Sequence, residues 1–213
     1  MARAKKSKEG ANSASTNGVS DINPARIFAV GIIGTGKTTT IGEIVGNNSC
    51  LVFSNNCQWQ KLDKIEARPD LVPEAINRFN SGGRICLVPT ADIETNEVIL
   101  TALSMAARNT VVFIDDLRDW TSSRSRVKFG LAALFGRCRK NNVDLIIAAH
   151  NFDKVPTDLI DYKPTFLIKE TATAPSSNWL NKFPNSTEFG EKILDVNRRA
   201  KADKFAYSIY QPF

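Results

Sequence analysis

From about residue 26 the chain alternates short apolar runs with amphipathic stretches. The runs at 26–30 (RIFAV), 50–54 (CLVFS), 84–88 (RICLV), 110–114 (TVVFI), 145–149 (LIIAA) and 165–169 (TFLIK) read as buried strands. Between them, 38–45, 73–79, 96–108 and 127–140 read as helices. The segment at 73–79 carries proline near its first turn. A helix at 188–200 and a strand at 205–210 (FAYSIY) follow. Apolar strands alternating with helices predict an α/β fold, a mainly parallel sheet covered on both faces. Polar residues gather where three runs end, after Val30, Ile114 and Ala149. Open sheets of this class bind ligands at that edge.

Residues 1–23 break the pattern. They are rich in Ala, Lys, Ser, Asn and Gly, and read as a disordered basic tail. The tail is a solubilising segment or an arm that touches nucleic acid or a shell protein. Residues 24–213 form one domain, with 170–213 a less clearly patterned C-terminal extension. Its stretch from 171 to 202 is polar and proline-broken, and reads as a docking element or a loop over the active edge. The whole chain of 213 residues has 28 Lys and Arg against 22 Asp and Glu, a net charge of +6 that fits a polyanionic partner. No run approaches 18 apolar residues, so no membrane span is expected, and the N-terminus lacks a secretory signal. Cys50, Cys57, Cys86 and Cys138 lack metal-ligand spacing and are expected to be thiols in a reducing compartment.

Gly31, Gly36, Lys37 and Thr38 fit G-x-x-x-x-G-K-[ST], placed after a strand and before a helix. A phosphate brought against main-chain amides needs glycines, here Gly31, Gly34 and Gly36, because a Cβ blocks the approach. The helix start aims its amides and dipole at the same charge. Gly31, Ile32, Ile33, Gly34, Thr35, Gly36, Lys37, Thr38 and Thr39 are therefore expected to bind the nucleotide. Lys37 would reach the β- and γ-phosphates and the Thr38 hydroxyl would ligate Mg²⁺.

Downstream, "NTVVFIDDLRDW" ends an apolar strand in Asp115 and Asp116. Asp115 is expected to hold Mg²⁺ opposite Thr38. Asp116 activates the attacking water or caps the next segment. The following strand ends in His150, the chain's single histidine, and Asn151; one of these is a candidate sensor of the γ-phosphate. Arg137 and Arg139 stand near the end of the preceding helix. They reach a neighbouring subunit's nucleotide or stabilise the helix C-terminus. Arg124 and Arg126 form a further basic pair that faces DNA or a neighbour.

With its "GRCRKNNVDLIIAAHN" segment, this constellation resembles the FtsK/HerA-type ATPases over residues 26 to about 170. It resembles in particular the genome-packaging ATPases of membrane-containing icosahedral viruses, with the Zot-like ATPases of filamentous phages as near relatives. The resemblance implies a three-layer P-loop NTPase of the additional-strand type. It implies a homo-oligomeric ring, pentamer or hexamer, that hydrolyses ATP with Mg²⁺ and moves double-stranded DNA. Capsid or membrane-vertex proteins would be its partners, and host cytoplasm or virion its place. By position, Asp116 would activate water, His150 or Asn151 would sense the γ-phosphate, and Arg137 or Arg139 would act in trans. Two departures from the family pattern stand out: Asp116 replaces the usual glutamate, and His150-Asn151 the usual glutamine. A nucleotide kinase is the rival enzyme, but the segment after Ala149 lacks an arginine-rich lid. Extrusion during phage assembly and a non-enzymatic shell role are the remaining alternatives.

Overall fold

The computed structural model describes residues 25–55, 59, 62–116 and 129–213. The basic tail, Cys57, Arg124 and Arg126 lie outside the described residues.

Eight strands form one sheet in the order β3-β4-β2-β5-β6-β1-β7-β8. They are β1 (Arg26–Val30), β2 (Cys50–Phe53), β3 (Asp63–Glu66), β4 (Arg84–Val88), β5 (Thr110–Ile114), β6 (Val143–Ala149), β7 (Thr165–Ile168) and β8 (Ser208–Tyr210). All neighbours run parallel except β7 and β8. The sheet inserts β6 between β1, which leads into the glycine loop, and β5, which ends in the two acids. That added strand is the mark of the additional-strand P-loop fold expected from the sequence.

The helices are α1 (Lys37–Val45), α2 (Val72–Asn80), α3 (Ile93–Ala106), α4 (Phe129–Arg137), α5 (Ser177–Leu180) and α6 (Ser186–Ala200). Strand residues alternate between two cores because successive side chains point to opposite faces. Phe28, Val30, Leu51, Phe53, Val112 and Ile114 join one core with residues of α2, α3, α4 and α6. Ala29, Val52, Val111, Phe113 and Ile146 join the other with Ile41 and Val45 of α1. The result is three layers, with α1 on its own face of the sheet.

Local chemistry sets the ends. The Asp92 carboxylate caps α3 by accepting from the amides of Glu94 and Thr95, so the helix starts before the predicted 96. Gly46, at φ 56°, closes α1 with its amide on the Gly42 carbonyl.

Strand β3 is absent from the sequence-based reading. It lies at the sheet edge, and of Asp63, Lys64, Ile65 and Glu66 only Ile65 is partly buried, so it shows no apolar signature. Residues 152–154 and 157–162 form short 3₁₀ turns, also unpredicted.

The segment 171–202 contributes α5 and α6. Its Trp179, Phe183 and Phe189 are buried around Phe166 of β7, at centroid distances of 5.8, 5.6 and 5.0 Å. This cluster ties the C-terminal helices to the strand beside β1. Cys50 and Cys138 are buried free thiols, whereas Cys86 is disulfide-bonded, a departure from the thiols expected throughout. Spacing alone does not reveal which thiols the fold brings together. Among the described residues, no helix is long and apolar enough to cross a membrane.

Candidate active site

The glycine loop leaves β1 at the C-terminal edge of the sheet. The Gly31 amide donates to the Ala149 carbonyl at 3.1 Å and the Ile32 amide to the Glu170 carbonyl at 2.8 Å. These bonds clamp the loop's first residues between β6 and the end of β7. A Cβ on Gly31 would lie 2.5 Å from the Lys169 Cβ, so only glycine fits. Gly34 and Gly36 hold φ of 86° and 75°, a conformation that favours glycine.

The loop curls around its own lysine. Lys37 Nζ donates to the carbonyls of Gly31 at 2.6 Å and Ile32 at 3.0 Å, and the Thr35 hydroxyl donates to Ile32 at 2.9 Å. Gly36 is the N-cap of α1 and offers no side chain to its amides, so the helix start suits an anion. Trp59 fixes α1 from behind. Its Nε1 donates to the Thr38 carbonyl at 2.9 Å, and its ring stacks on Phe113 of β5 at 5.2 Å. Trp59 also packs over Gly42, where a Cβ would sit 3.2 Å from Nε1.

Strand register assembles the opposite wall. Phe53 pairs with Ile114, so the next residues, Ser54 and Asp115, are side by side. The buried Ser54 hydroxyl donates to Asp115 Oδ2 at 2.9 Å. Burial pushes the Asp115 carboxyl above its ordinary range and the Asp116 charge adds to this; the Ser54 hydrogen bond and the Lys37 charge oppose it. Ile114 pairs with Ile147, which sets residue 116 level with the end of β6. Asp116 Oδ2 accordingly lies 2.9 Å from His150 Nε2. Asp116 has φ 55°, left-handed backbone that aspartate tolerates better than longer side chains do. This gives a physical reason for aspartate where the resembled family has glutamate.

One cleft of about 620 Å³ collects these groups. Ile33, Gly34, Gly36, Lys37, Thr38 and Thr39 line one side, and Ser54, Asn55, Asp115, Asp116 and His150 the other, with Phe205 at the mouth. Gly31, Ile32 and Thr35 support the loop from beneath. Asn151 is not among the lining residues; its side chain accepts from the Lys154 amide at 3.1 Å and caps a 3₁₀ turn. Arg137 and Arg139 are exposed, just before β6 begins, at the edge of the sheet opposite this chain's own cleft.

Sequence reasoning missed Ser54, Trp59 and Phe205. Only Ser54 left a trace, as a polar residue ending an apolar run.

The cleft offers a donor set for Mg²⁺. The Thr38 hydroxyl and the half-buried, partly desolvated Asp115 carboxylate share the cleft, and both are hard oxygen ligands that suit this ion. Among the described residues no cluster of three or more His, Cys, Asp or Glu is arranged to hold a metal.

The glycine loop, the paired acids and the added strand define a P-loop ATPase. The model for the family "ATPase family associated with various cellular activities (AAA)" matches residues 27–168, and the chain belongs to that family. No curated protein matches the sequence.

Solved structures resemble it over nearly its full length. The genome-packaging NTPase B204 from Sulfolobus turreted icosahedral virus 2, in complex with AMP, has a TM-score of 0.65 at 14% identity, covering 89% of this chain and 94% of that one. The same protein with AMPPCP gives 0.63 at 14%, covering 90% and 100%. B204, the DNA-packaging ATPase from Sulfolobus turreted icosahedral virus, gives 0.56 at 14%, again covering 90% and 100%. At these identities the likeness is one of fold.

Proposed function

We propose that this ATPase is a motor that translocates double-stranded DNA, loading a viral genome into a preformed particle. The observation that carries the reading is the pairing of Asp116 with His150 across the cleft from Lys37. A binding-only site needs the loop; it does not need a second acid and a polar partner opposite it. The near-complete overlap in fold with packaging NTPases supports the finer assignment to the FtsK/HerA-type motors. The net charge of +6 supports a partner held by phosphate contacts without base reading.

In this reading the loop amides and Lys37 hold the β- and γ-phosphates. Thr38 and Asp115 would hold Mg²⁺, which would neutralise developing phosphate charge. Asp116 accepts a proton from the attacking water, and His150 orients Asp116 and registers the γ-phosphate. Arg137 or Arg139, at the far edge, serves the next subunit's nucleotide in a ring of five or six copies. The ring works in the host cytoplasm and on the particle, where capsid or membrane-vertex proteins receive it.

ATP turnover with and without double-stranded DNA, measured beside the mass of the assembled species, tests the proposal. A DNA-stimulated oligomer is expected. A monomer indifferent to DNA contradicts it, and stimulation by a nucleoside monophosphate would point to a kinase.

A further inference from the structure

The segment between α6 and β8 carries an aromatic residue to the mouth of the cleft. Phe205 is 52% exposed, yet its ring edge rests on the loop: a Cβ on Gly36 would lie 2.8 Å from its Cδ1. About half of the ring is left to solvent beside the loop, so one face is open to a ligand.

Its position is built. Lys169, only 1% exposed, extends from the end of β7 and donates from Nζ to the Phe205 carbonyl at 2.9 Å. The same ammonium sits 4.9 Å from the centroid of the Tyr207 ring. Arg199 donates to the Tyr207 carbonyl at 3.1 Å, and the Phe205 amide donates to Asp203 Oδ1 at 2.9 Å. A buried lysine spent on one main-chain carbonyl holds this segment where it is. Burial lowers the Lys169 pKa, so holding this carbonyl comes at a cost to the charged ammonium.

Sheet order fixes which end of a nucleotide comes here. β1 lies between β6 and β7. Asp115, Asp116 and His150 follow β5 and β6, so the γ-phosphate points to that side. The nucleoside must extend the other way, toward β7 and β8, and Phe205 stands there just before β8. We propose that Phe205 is the platform on which the nucleobase stacks, held in place by Lys169. This rests on the nucleotide reading of the cleft and extends it to the base. Lys204 Nζ covers the ring at 4.9 Å from its centroid, and the arriving base displaces it. Every base has a π face, so the platform strengthens binding without choosing among bases.

Binding of Mg²⁺–ATP and Mg²⁺–tripolyphosphate to the full chain, measured by calorimetry, separates base from phosphate. Phe205→Ala should raise the Kd for ATP about 5- to 150-fold, the range aromatic–base stacking spans. Its Kd for tripolyphosphate should stay within about twofold of wild type, and Phe205→Trp should bind ATP like wild type. An unchanged ATP affinity in Phe205→Ala overturns the proposal alone. So does an equal loss for both ligands, which would make the ring a prop for the loop. A wild-type chain that binds neither ligand overturns the nucleotide reading and this proposal together.

Discussion

Asp116 and His150 meet at 2.9 Å between Oδ2 and Nε2 across the ends of two adjacent parallel strands, each side chain 22% exposed. The contact follows from register, and it places the second acid of the pair at the wall of the cleft. Asp116→Asn is the clean test, since asparagine also tolerates the left-handed backbone at φ 55°. Stopped-flow binding and steady-state turnover should show ATP affinity retained and kcat reduced by ~10²–10⁴. Turnover near wild type would remove Asp116 from the mechanism.

The length of the acid is constrained by the same backbone. Asp116→Glu restores the residue usual in the resembled ATPases but sets a longer side chain on left-handed backbone. It should lower stability by ~1 kcal/mol. It should also turn over ATP more slowly than wild type. A faster, equally stable variant in thermal melts and turnover assays would contradict this account of the aspartate.

In the proposed mechanism His150 orients Asp116 through their 2.9 Å contact, so its loss should act on rate before affinity. His150→Ala should lower kcat by ~10- to 100-fold with a KM for ATP within about threefold of wild type. Asn151→Ala should leave turnover close to wild type, because that side chain caps a turn. A reversal of these two effects would transfer the sensor role to Asn151.

Asp115 opposes folding stability by its charge. Its folded pKa is raised above the unfolded value, so the ionised side chain costs stability at neutral pH, and the cost disappears as pH falls through the folded pKa. Asp115→Asn removes that charge while the amide oxygen still accepts from Ser54. The Tm of the nucleotide-free protein should rise by ~2–4 °C, equivalent to about 1 kcal/mol for a chain of this size. Mg²⁺-dependent turnover should be lost in the same variant. A lower Tm would show that the carboxylate is a net stabiliser.

The parts legible in the sequence are those with local causes. Gly34 and Gly36 announce positive φ, and Val111 to Ile114 announce a buried strand ending in acids. The unread parts depend on partners far along the chain. Ser54 matters only because β2 pairs with β5 in one register, and Trp59 because its ring reaches Phe113. Phe205 opens the run FAYSIY, which reads as a strand, and its place at the cleft emerges only when β8 folds back beside β7. Nothing local distinguishes His150 from Asn151 either. The direction of the chain after Ala149 sends one side chain into the cleft and the other onto a turn.

The aromatic cluster behind β7 was hidden for the same reason. Phe166 is fully buried against Phe28, Phe152, Trp179, Phe183 and Phe189. Phe166→Ala should cost ~3–5 kcal/mol in urea unfolding. A loss below 1 kcal/mol would mean that the C-terminal helices are not anchored on this strand.

Displacement of a third strand from double-stranded DNA by the assembled protein tests the motor reading most directly. The account predicts ATP-dependent displacement by wild type and none by Asp116→Asn, although that variant still binds ATP. ATP turnover that ignores DNA, with the third strand left in place at saturating ATP, would contradict it.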